Sequence, residues 1–259
     1  MEEGLVSIIT PMYKGERFVG DTITSVIAQT YENWEMIIVD DCSPDDGAGI
    51  RVVESYQKNE PRITLIKQEI NKGSAGARNT GIKLAQGQYL CLLDSDDYWD
   101  DNFLEEQLKL IREKDASLVY ASYRRVHEVT KKEVLRPIIV HERINYHKYL
   151  QTYEIGCLTV LYDVSKIGKH YLNEDMKSVR DDTSLWLKIL KEVDYVYGNI
   201  KILASYRQVG GSATNSKTGL MKPHWYMLRK IEGLSLLKSA YYFSYWAITG
   251  FYKYHTGKK

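Results

Sequence analysis

The most constraining feature of the 259-residue sequence is an apolar run, Tyr89–Leu93, that ends abruptly in carboxylates. Asp94, Asp96 and Asp97 follow it within four residues. Because the run shows no alternation of polar and apolar residues, it predicts a strand buried on both faces, as in a parallel sheet. Carboxylates this close repel one another unless a cation lies among them. The acids therefore indicate one of two structures. They form either a site for Mg²⁺ or Mn²⁺ that also binds substrate phosphates, or a solvated acidic turn.

Short apolar runs alternate with helical patterns through roughly the first hundred residues. A repeated strand–helix order is typical of a right-handed parallel sheet with helices on both faces. We therefore predict an α/β fold with a Rossmann-like, mostly parallel central sheet and a C-terminal helical tail. The predicted strands are Val6–Pro11, Trp34–Val39, Ile63–Ile66 and Tyr89–Leu93, and the first predicted helix is Glu16–Gln29.

Polar side chains follow three of these strands at their carboxyl ends. Thr10 ends the first, Asp40 and Asp41 end the second, and Asp94 and Asp96 follow the fourth. In a sheet of this type the ligand lies across the carboxyl ends, where the strand order reverses. The side chains are therefore expected to meet in one crevice. Neither the Gly-x-Gly-x-x-Gly fingerprint nor a P-loop occurs, which excludes those two nucleotide-binding motifs.

A run of small residues, Gly73–Ala77, precedes Arg78. Such a run lets the backbone approach a ligand closely, with Arg78 reaching its phosphates or base. Tight packing of a helix on the sheet would require the same small residues. Both interpretations remain open at this point.

The second half of the chain is less regular. Leu118–Tyr123 and Cys157–Tyr162 are predicted strands, and Tyr195–Tyr197 and Ile202–Tyr206 are predicted edge strands. Arg207 follows the last of them and is expected to meet the phosphates of a nucleotide. We divide the chain into residues 1–100, residues 101–216 and a tail (217–259).

The tail is basic and aromatic. Residues 217–259 contain seven Lys and one Arg against the single acid Glu232, a charge of +7, so the rest carries −6 of the net +1. Its apolar stretch is too short and too polar to span a bilayer, which takes about 20 apolar residues. It suits the headgroup region of a membrane, or packing on the body or in a homodimer. No nucleic-acid partner is predicted.

The cysteines and the N-terminus predict a cytoplasmic protein, at most peripheral on the inner face of the membrane. Cys42, Cys91 and Cys157 are odd in number, far apart and without metal-ligand spacing, which favours reduced thiols. No basic, apolar and small-residue signal precedes the first strand.

Five stretches occur in the order and spacing of a known family. The sequence resembles the inverting GT-A glycosyltransferases of family two over about residues 4–207, and most of all bacterial enzymes that build capsule, O-antigen or teichuronic acid. The resemblance implies a GT-A fold, a UDP-sugar donor, a glycan or undecaprenyl-diphosphate-linked acceptor, and Mn²⁺ or Mg²⁺. It also implies that residues 1–100 are the nucleotide-sugar-binding half of the GT-A domain and residues 101–216 its acceptor-side half. The five stretches are Val6–Tyr13, Ile37–Ser43, Gly76–Asn79, Leu93–Asp97 and Arg180–Lys188.

The same resemblance implies roles for individual residues. Thr10 and Asp41, with Asp40 beside it, correspond to the uracil pocket, and Asp94 and Asp96 to the metal-binding Asp-x-Asp motif. The residues implied to bind the nucleotide sugar are Thr10, Pro11, Tyr13, Glu16, Asp40, Asp41, Gly76, Arg78, Asp94, Ser95 and Arg207. The chain departs from the family at Asp181, where Glu is usual, and at Val209, where some members carry a histidine metal ligand.

Transfer with inversion needs a base on the acceptor side of a single displacement. Asp182 is the candidate base, and Asp181 would orient the acceptor or shift the pKa of Asp182. On residue chemistry alone the pair also suits capping of the helix that follows. A glycosidase would leave Thr10, Asp41 and Arg78 unexplained. A sugar nucleotidyltransferase and a non-catalytic nucleotide-sugar or glycan-binding module remain as alternatives.

Overall fold

One sheet of ten strands forms the centre of the protein in a computed structural model. The structure describes residues 1–176, 180–209 and 221–255, with side chains as far as residue 249. The strands are β1 (Glu2–Met12), β2 (Trp34–Asp40), β3 (Ile63–Lys67), β4 (Gly87–Leu92), β5 (Tyr98–Trp99), β6 (Leu118–His127), β7 (Glu133–Ile138), β8 (Arg143–Ile144), β9 (Leu161–Asp163) and β10 (Val196–Gln208).

The sheet has the strand order β3-β2-β1-β4-β9-β6-β10-β5, with β7 beside β6 and β8 beside β10. Strands β3, β2, β1 and β4 are parallel neighbours, and β6 is parallel to β10. The short β9 runs antiparallel to both β4 and β6, so these two run in the same direction. Six long strands therefore share one direction, and their carboxyl ends lie at one edge of the sheet.

Helices cover both faces of the sheet. They are α1 (Val19–Ile27), α2 (Ala48–Gln57), α3 (Gly73–Leu84), α4 (Phe103–Glu113), α5 (Tyr146–Thr152), α6 (Val164–Ile167), α7 (Asp181–Ile189), α8 (Met221–Tyr226) and α9 (Leu236–His255), with a π-helical turn at Met227–Ile231. Neighbouring residues of β1 face opposite ways. Ile8 packs with α1 and α4, whereas Ile9 packs with α3, α7 and the tail. The predicted α/β architecture with two covered faces is confirmed.

Several predicted elements are corrected by the structure. Strand β1 continues through Pro11 to Met12 instead of stopping at the proline. Cys157–Thr159 forms a 3-10 turn, so only Leu161–Asp163 of the predicted Cys157–Tyr162 strand pairs with the sheet. The two predicted edge strands are one irregular strand, β10, which lies inside the sheet beside β6. Helix α1 begins at Val19 and not at Glu16, and it ends at Ile27 and not at Gln29.

The tail packs on the body through one side. Met227, Leu228 and Tyr242 belong to the same core cluster as α3 and α7. The buried carboxylate of Glu232 accepts a hydrogen bond from Tyr146 Oη at 2.5 Å and pairs with Lys191 Nζ at 2.7 Å. Within the described residues, no helix combines the length and the apolar character needed to cross a bilayer. The predicted boundary between residues 216 and 217 lies outside the described residues.

Candidate active site

The predicted polar residues meet at the carboxyl edge of the sheet because their strands are parallel. Thr10 lies near the end of β1, Asp40 ends β2, Asp94 follows β4, and Arg207 lies near the end of β10. Strand β1 lies between β2 and β4, where the strand order reverses. This is the position where open α/β sheets bind ligands.

Arg78 joins two parts of this edge. Its side chain is 7% exposed, and its guanidinium forms an ion pair with Asp94 and donates a hydrogen bond to Asp181 Oδ2 at 3.1 Å. Burial disfavours its charge, but Asp94 and Asp181 outweigh that effect and raise the pKa of Arg78. A buried cation thus connects the Asp-x-Asp loop with the start of α7.

Helix α3 places Arg78 there through its contacts with the first two strands. The carboxylate of Asp41 accepts a hydrogen bond from Lys72 N at 2.7 Å, which fixes the start of the helix. A Cβ added at Gly81 would lie 2.4 Å from Ile9 Cγ2, so only glycine lets α3 approach β1 this closely. Similarly, a Cβ on Gly76 would lie 2.4 Å from Lys72 Cβ. Ala75 and Ala77 are buried in the same core cluster as Ile9, which supports helix-to-sheet packing for this run, while the contact of Gly76 with a nucleotide stays a prediction.

Asp181 and Asp182 are the first two residues of α7. Asp181 is 4% exposed and bonds to Arg78, and Asp182 Oδ1 accepts a hydrogen bond from Thr183 N at 2.7 Å. Arg180 occupies the cap position, and its side chain makes no capping hydrogen bond within the described part of the chain. Burial and the charge of Asp181 raise the pKa of Asp182 from its usual range. Asp182 therefore combines fixed direction with increased basicity.

The loop after β4 gathers three carboxylates in different environments. Burial, followed by the charge of Asp94, raises the pKa of Asp96 to about 6. Asp97 is 1% exposed and accepts a hydrogen bond from Arg207 N at 2.8 Å. Burial and the neighbouring acids raise the pKa of Asp97 as well. Asp97 had no predicted role, although it ties the loop to β10.

Arg207 was predicted to meet the phosphates of a nucleotide, but its guanidinium forms hydrogen bonds within the protein. Its guanidinium donates to the backbone oxygens of Asp96 and Glu128 at 2.7 and 2.8 Å and to Asp21 Oδ2 at 2.8 Å. The side chain is 2% exposed. Burial alone would raise the pKa of Asp21, but hydrogen bonds from Arg207 and Lys131 lower it. Arg207 therefore fixes the carboxylate loop, and its contact with nucleotide phosphates stays a prediction.

The residues predicted to hold the nucleoside differ in their freedom to bind. Asp40 accepts two hydrogen bonds from Ser43, at 2.6 Å from Oγ and 3.2 Å from N. Thr10 Oγ1 is fully buried and has no hydrogen-bond partner among the described residues. Burial raises the pKa of Asp41. Tyr13 and Glu16 are exposed, and Pro11 and Ser95 are half-buried.

The carboxylates at this edge fit a divalent cation that also binds substrate phosphates. Asp94 and Asp96 repel each other strongly enough to contribute to the raised pKa of Asp96, and a cation would relieve this repulsion. Across residues 1–176, 180–209 and 221–255, no three His, Cys, Asp or Glu side chains are grouped to hold a metal ion by themselves. The donor set suits Mg²⁺ or Mn²⁺, which complete their shells with phosphate and water oxygens.

Two further residues at this site had no predicted role. Cys157 is a free thiol whose pKa is raised by burial and by the nearby Asp94, Asp181 and Asp182. Arg180 is the residue before α7. No local pattern marks Cys157, because its neighbours come from distant parts of the chain. A cavity of about 450 Å³ lies in the tail, lined by Trp225, Arg229, Phe243 and four other tail residues, and contains none of the predicted site residues.

The mostly parallel sheet with helices on both faces is the GT-A fold, as the match to solved structures shows. The sequence profile of Glycosyl transferase family 2 matches residues 7–174. The chain belongs to glycosyl transferase family 2, as its resemblance predicted.

Two relatives cover almost the entire chain. This chain is 36% identical to a Bacillus subtilis (strain 168) protein named as a teichuronic acid biosynthesis glycosyltransferase, TuaG. The match covers 94% of each chain. The chain is 34% identical over the full length of both chains to WfgD of Escherichia coli, a UDP-Glc:alpha-D-GlcNAc-diphosphoundecaprenol beta-1,3-glucosyltransferase. The fold is similar to that of S. aureus TarS 1-349 in complex with UDP-GlcNAc, with a TM-score of 0.70, 20% identity, and coverage of 92% of this chain and 70% of that one.

Proposed function

We propose that this chain is a metal-dependent, inverting glycosyltransferase that transfers a hexosyl or N-acetylhexosaminyl group from a UDP-sugar. The acceptor is a glycan or an undecaprenyl-diphosphate-linked saccharide, in bacterial surface polysaccharide synthesis. The observation that carries the proposal is the Arg78 bridge, which joins Asp94 on the donor side to Asp181 beside the candidate base. The teichuronic acid role in the name of TuaG supports surface polysaccharide synthesis, and the donor and acceptor in the name of WfgD support both classes. The UDP-GlcNAc in the complex of TarS supports the donor class.

Asp182 serves as the base in this proposal. Its raised pKa brings it nearer to neutral pH, where a general base both stays ionised and accepts a proton effectively. Asp182 takes the proton of the acceptor hydroxyl as that oxygen forms a bond to the anomeric carbon and the bond to UDP breaks. One displacement inverts the configuration.

Asp181 and Arg78 orient this reaction. Arg78 Nη1 donates a hydrogen bond to Asp181 Oδ2 at 3.1 Å, and Asp181 keeps a negative charge beside Asp182. Asp96 and Asp94 would hold the divalent cation, which when bound supplies positive charge to the departing diphosphate. Thr10 is the candidate partner for the uracil, because its buried hydroxyl has no partner among the described residues.

The outer side of the tail supports a peripheral position at the inner face of a membrane. Leu237, Tyr241, Tyr245 and Ile248 follow one another at helical spacing on α9 and are 84%, 52%, 42% and 57% exposed. The exposed Lys222, Lys230 and Lys238 lie in the same tail. Apolar and basic side chains together suit the headgroup region of an anionic bilayer. A cytoplasmic enzyme held there would meet a lipid-linked acceptor.

The activity is tested by nucleoside diphosphate release over a panel of nucleotide sugars, with Mn²⁺ or a chelator. We expect release from one UDP-sugar, lost with the chelator and reduced about 10²- to 10⁴-fold in Asp182→Asn. Asp194→Asn is the matched control, because Asp194 is an exposed aspartate beyond the other end of α7. Release of pyrophosphate would instead indicate a sugar nucleotidyltransferase. Binding of UDP without turnover of any donor and acceptor pair would indicate a binding module.

The membrane position is tested by sedimentation with vesicles of phosphatidylglycerol or of phosphatidylcholine. Binding to the anionic vesicles is expected and should be lost in Leu237→Asp/Ile248→Asp. Ile200→Asp is the control, because Ile200 is 54% exposed but belongs to β10. Unchanged sedimentation of the double variant with the anionic vesicles would refute membrane binding through this surface. If light scattering shows a dimer that the double variant breaks, the surface instead binds a second copy.

A further inference from the structure

We propose that Arg180 is a positioning residue for the Asp181–Asp182 pair, and that the tail holds Arg180 in place through a cage of aromatic rings. The cage consists of Tyr153, His224 and Trp246, and the last two belong to α8 and α9. The inference rests on the proposed function for its catalytic consequence, but the cage itself is testable without turnover.

The backbone of Arg180 has a conformation that needs support. Its φ is 64° and its ψ 17°, in the left-handed region that side chains other than glycine rarely adopt. Its carbonyl accepts the hydrogen bond from Ser184 N at 3.0 Å, which is the first bond of α7. The conformation of Arg180 therefore sets where the helix begins and where Asp181 and Asp182 lie. Unusual conformations of this kind persist when surrounding contacts enforce them.

Aromatic contacts supply this support. The Arg180 guanidinium lies over the rings of Tyr153 and Trp246, at 5.6 and 5.4 Å from their centroids. Its Nε is buried without a hydrogen-bond partner among the described residues. Because the ring faces carry negative charge, they attract the cation in a site with little water. Two rings, one from the body and one from the tail, thus hold the residue that precedes α7.

His224 completes the cage. It is fully buried, with ring centroids 4.4 Å from Trp246 and 4.8 Å from Tyr153. Burial, together with the positive charge of Arg180, lowers the pKa of His224 to about 3. His224 is therefore neutral at physiological pH and acts as a third ring instead of a competing cation. It connects the ring from the body to the ring from the tail.

The tail is anchored strongly enough to hold this cage. Tyr242 Oη lies 3.0 Å from His147 Nδ1, and Glu232 bonds to Tyr146 and Lys191 as described above. These contacts join the tail to α5, which precedes Arg180 in the chain, and to the turn after α7, which follows it. The C-terminal helices are consequently part of the active-site framework and not an appendage to it.

The first test is hydrogen exchange at the start of α7, compared between Trp246→Ala and Trp246→Phe. We expect faster exchange of the Ser184 amide in Trp246→Ala, because its acceptor is the Arg180 carbonyl. Trp246→Phe keeps a ring and should restore the wild-type rate. Trp225→Ala is the matched control, since Trp225 is a tail tryptophan that contacts Phe243. Equal exchange rates of the Ser184 amide in the wild type and all three variants would refute the proposal that the cage holds Arg180.

The second test separates positioning from general stability. In Trp246→Ala and Arg180→Met, kcat should fall about tenfold, while KM for the donor and the rise in Tm on adding UDP stay unchanged. Arg180→Lys should recover part of kcat. A wild-type kcat in Arg180→Met would refute the positioning role. If the wild type releases no diphosphate but Trp246→Ala still exchanges faster, the proposed function fails and the cage stands.

Discussion

Two buried arginines at the same edge of the sheet differ in what they hold. The Arg78 cluster (Arg78, Asp94 and Asp181) joins side-chain carboxylates from opposite sides of the site. The Arg207 cluster (Arg207, Asp21, Asp96 and Asp97) is built mainly on backbone groups: Arg207 donates to two carbonyls, and its own N–H bonds to Asp97. Carboxylates can exchange an arginine for a cation or substrate, whereas backbone carbonyls belong to the loop itself. The first cluster suits chemistry and the second suits rigidity.

The largest effect is expected from Arg78→Met. The substitution leaves the buried Asp181 and the half-buried Asp94 without their shared cation, so we expect kcat/KM to fall by about 10²- to 10³-fold. Thermal unfolding should show a loss of about 3 kcal/mol. Arg78→Lys is the control, since it keeps one charge but loses the fork that reaches both carboxylates. Near wild-type kcat/KM in Arg78→Met would remove this cluster from the mechanism.

Arg207→Met should show the opposite balance. Two backbone oxygens and Asp21 lose a buried donor, so the free energy of unfolding should fall by about 3 kcal/mol. The affinity for UDP, measured by calorimetry well below Tm, should change less than in Arg78→Met. If instead Tm is unchanged and UDP affinity falls, Arg207 contacts the nucleotide, as the sequence predicted, and the contrast between the clusters disappears.

Asp181→Asn sharpens the comparison through the pH dependence of kcat/KM. Asp182 must be ionised to accept a proton, and the negative charge of Asp181 raises the pKa of Asp182. Removing that charge lowers the pKa of Asp182, so the acidic limb of the profile should move to lower pH. Asp194→Asn should leave the limb in place. Movement of the limb to higher pH would contradict the assigned coupling.

The sequence predicted the elements that depend on local pattern. The apolar run before Asp94 and the runs before Thr10 and Asp40 are parallel strands, and parallel strands bring their carboxyl ends together. That rule alone was sufficient to place the donor-side residues at one edge. The family resemblance then extended the site to Asp181 and Asp182, which follow the last of those strands, β4, by almost ninety residues.

The partners of the charged side chains were beyond sequence reasoning. Arg207 pairs with Asp21, 186 positions away, and such pairing depends on how α1 packs against β10. The same limit applies to Arg180, whose cage uses rings from three separate elements. Cys157–Thr159 was predicted as part of a strand because its residues are apolar or β-branched, yet the chain there turns beneath the site. A short apolar run does not show whether tertiary packing will make it a strand or a turn.

Thr10→Val should have the smallest effect and tests the donor side of the comparison. Valine has nearly the shape of threonine, and Thr10 Oγ1 has no hydrogen-bond partner among the described residues. Without UDP, Tm should therefore stay constant or rise slightly, because a buried and unpaired hydroxyl is removed. If this hydroxyl bonds to the uracil, the affinity for UDP should fall about five- to tenfold. Thr22→Val is the matched control: Thr22 Oγ1 donates to the Asp97 carbonyl at 2.7 Å, so this change should lower Tm. Unchanged UDP affinity in Thr10→Val would remove Thr10 from the nucleoside pocket and leave its buried hydroxyl as a feature of strand packing.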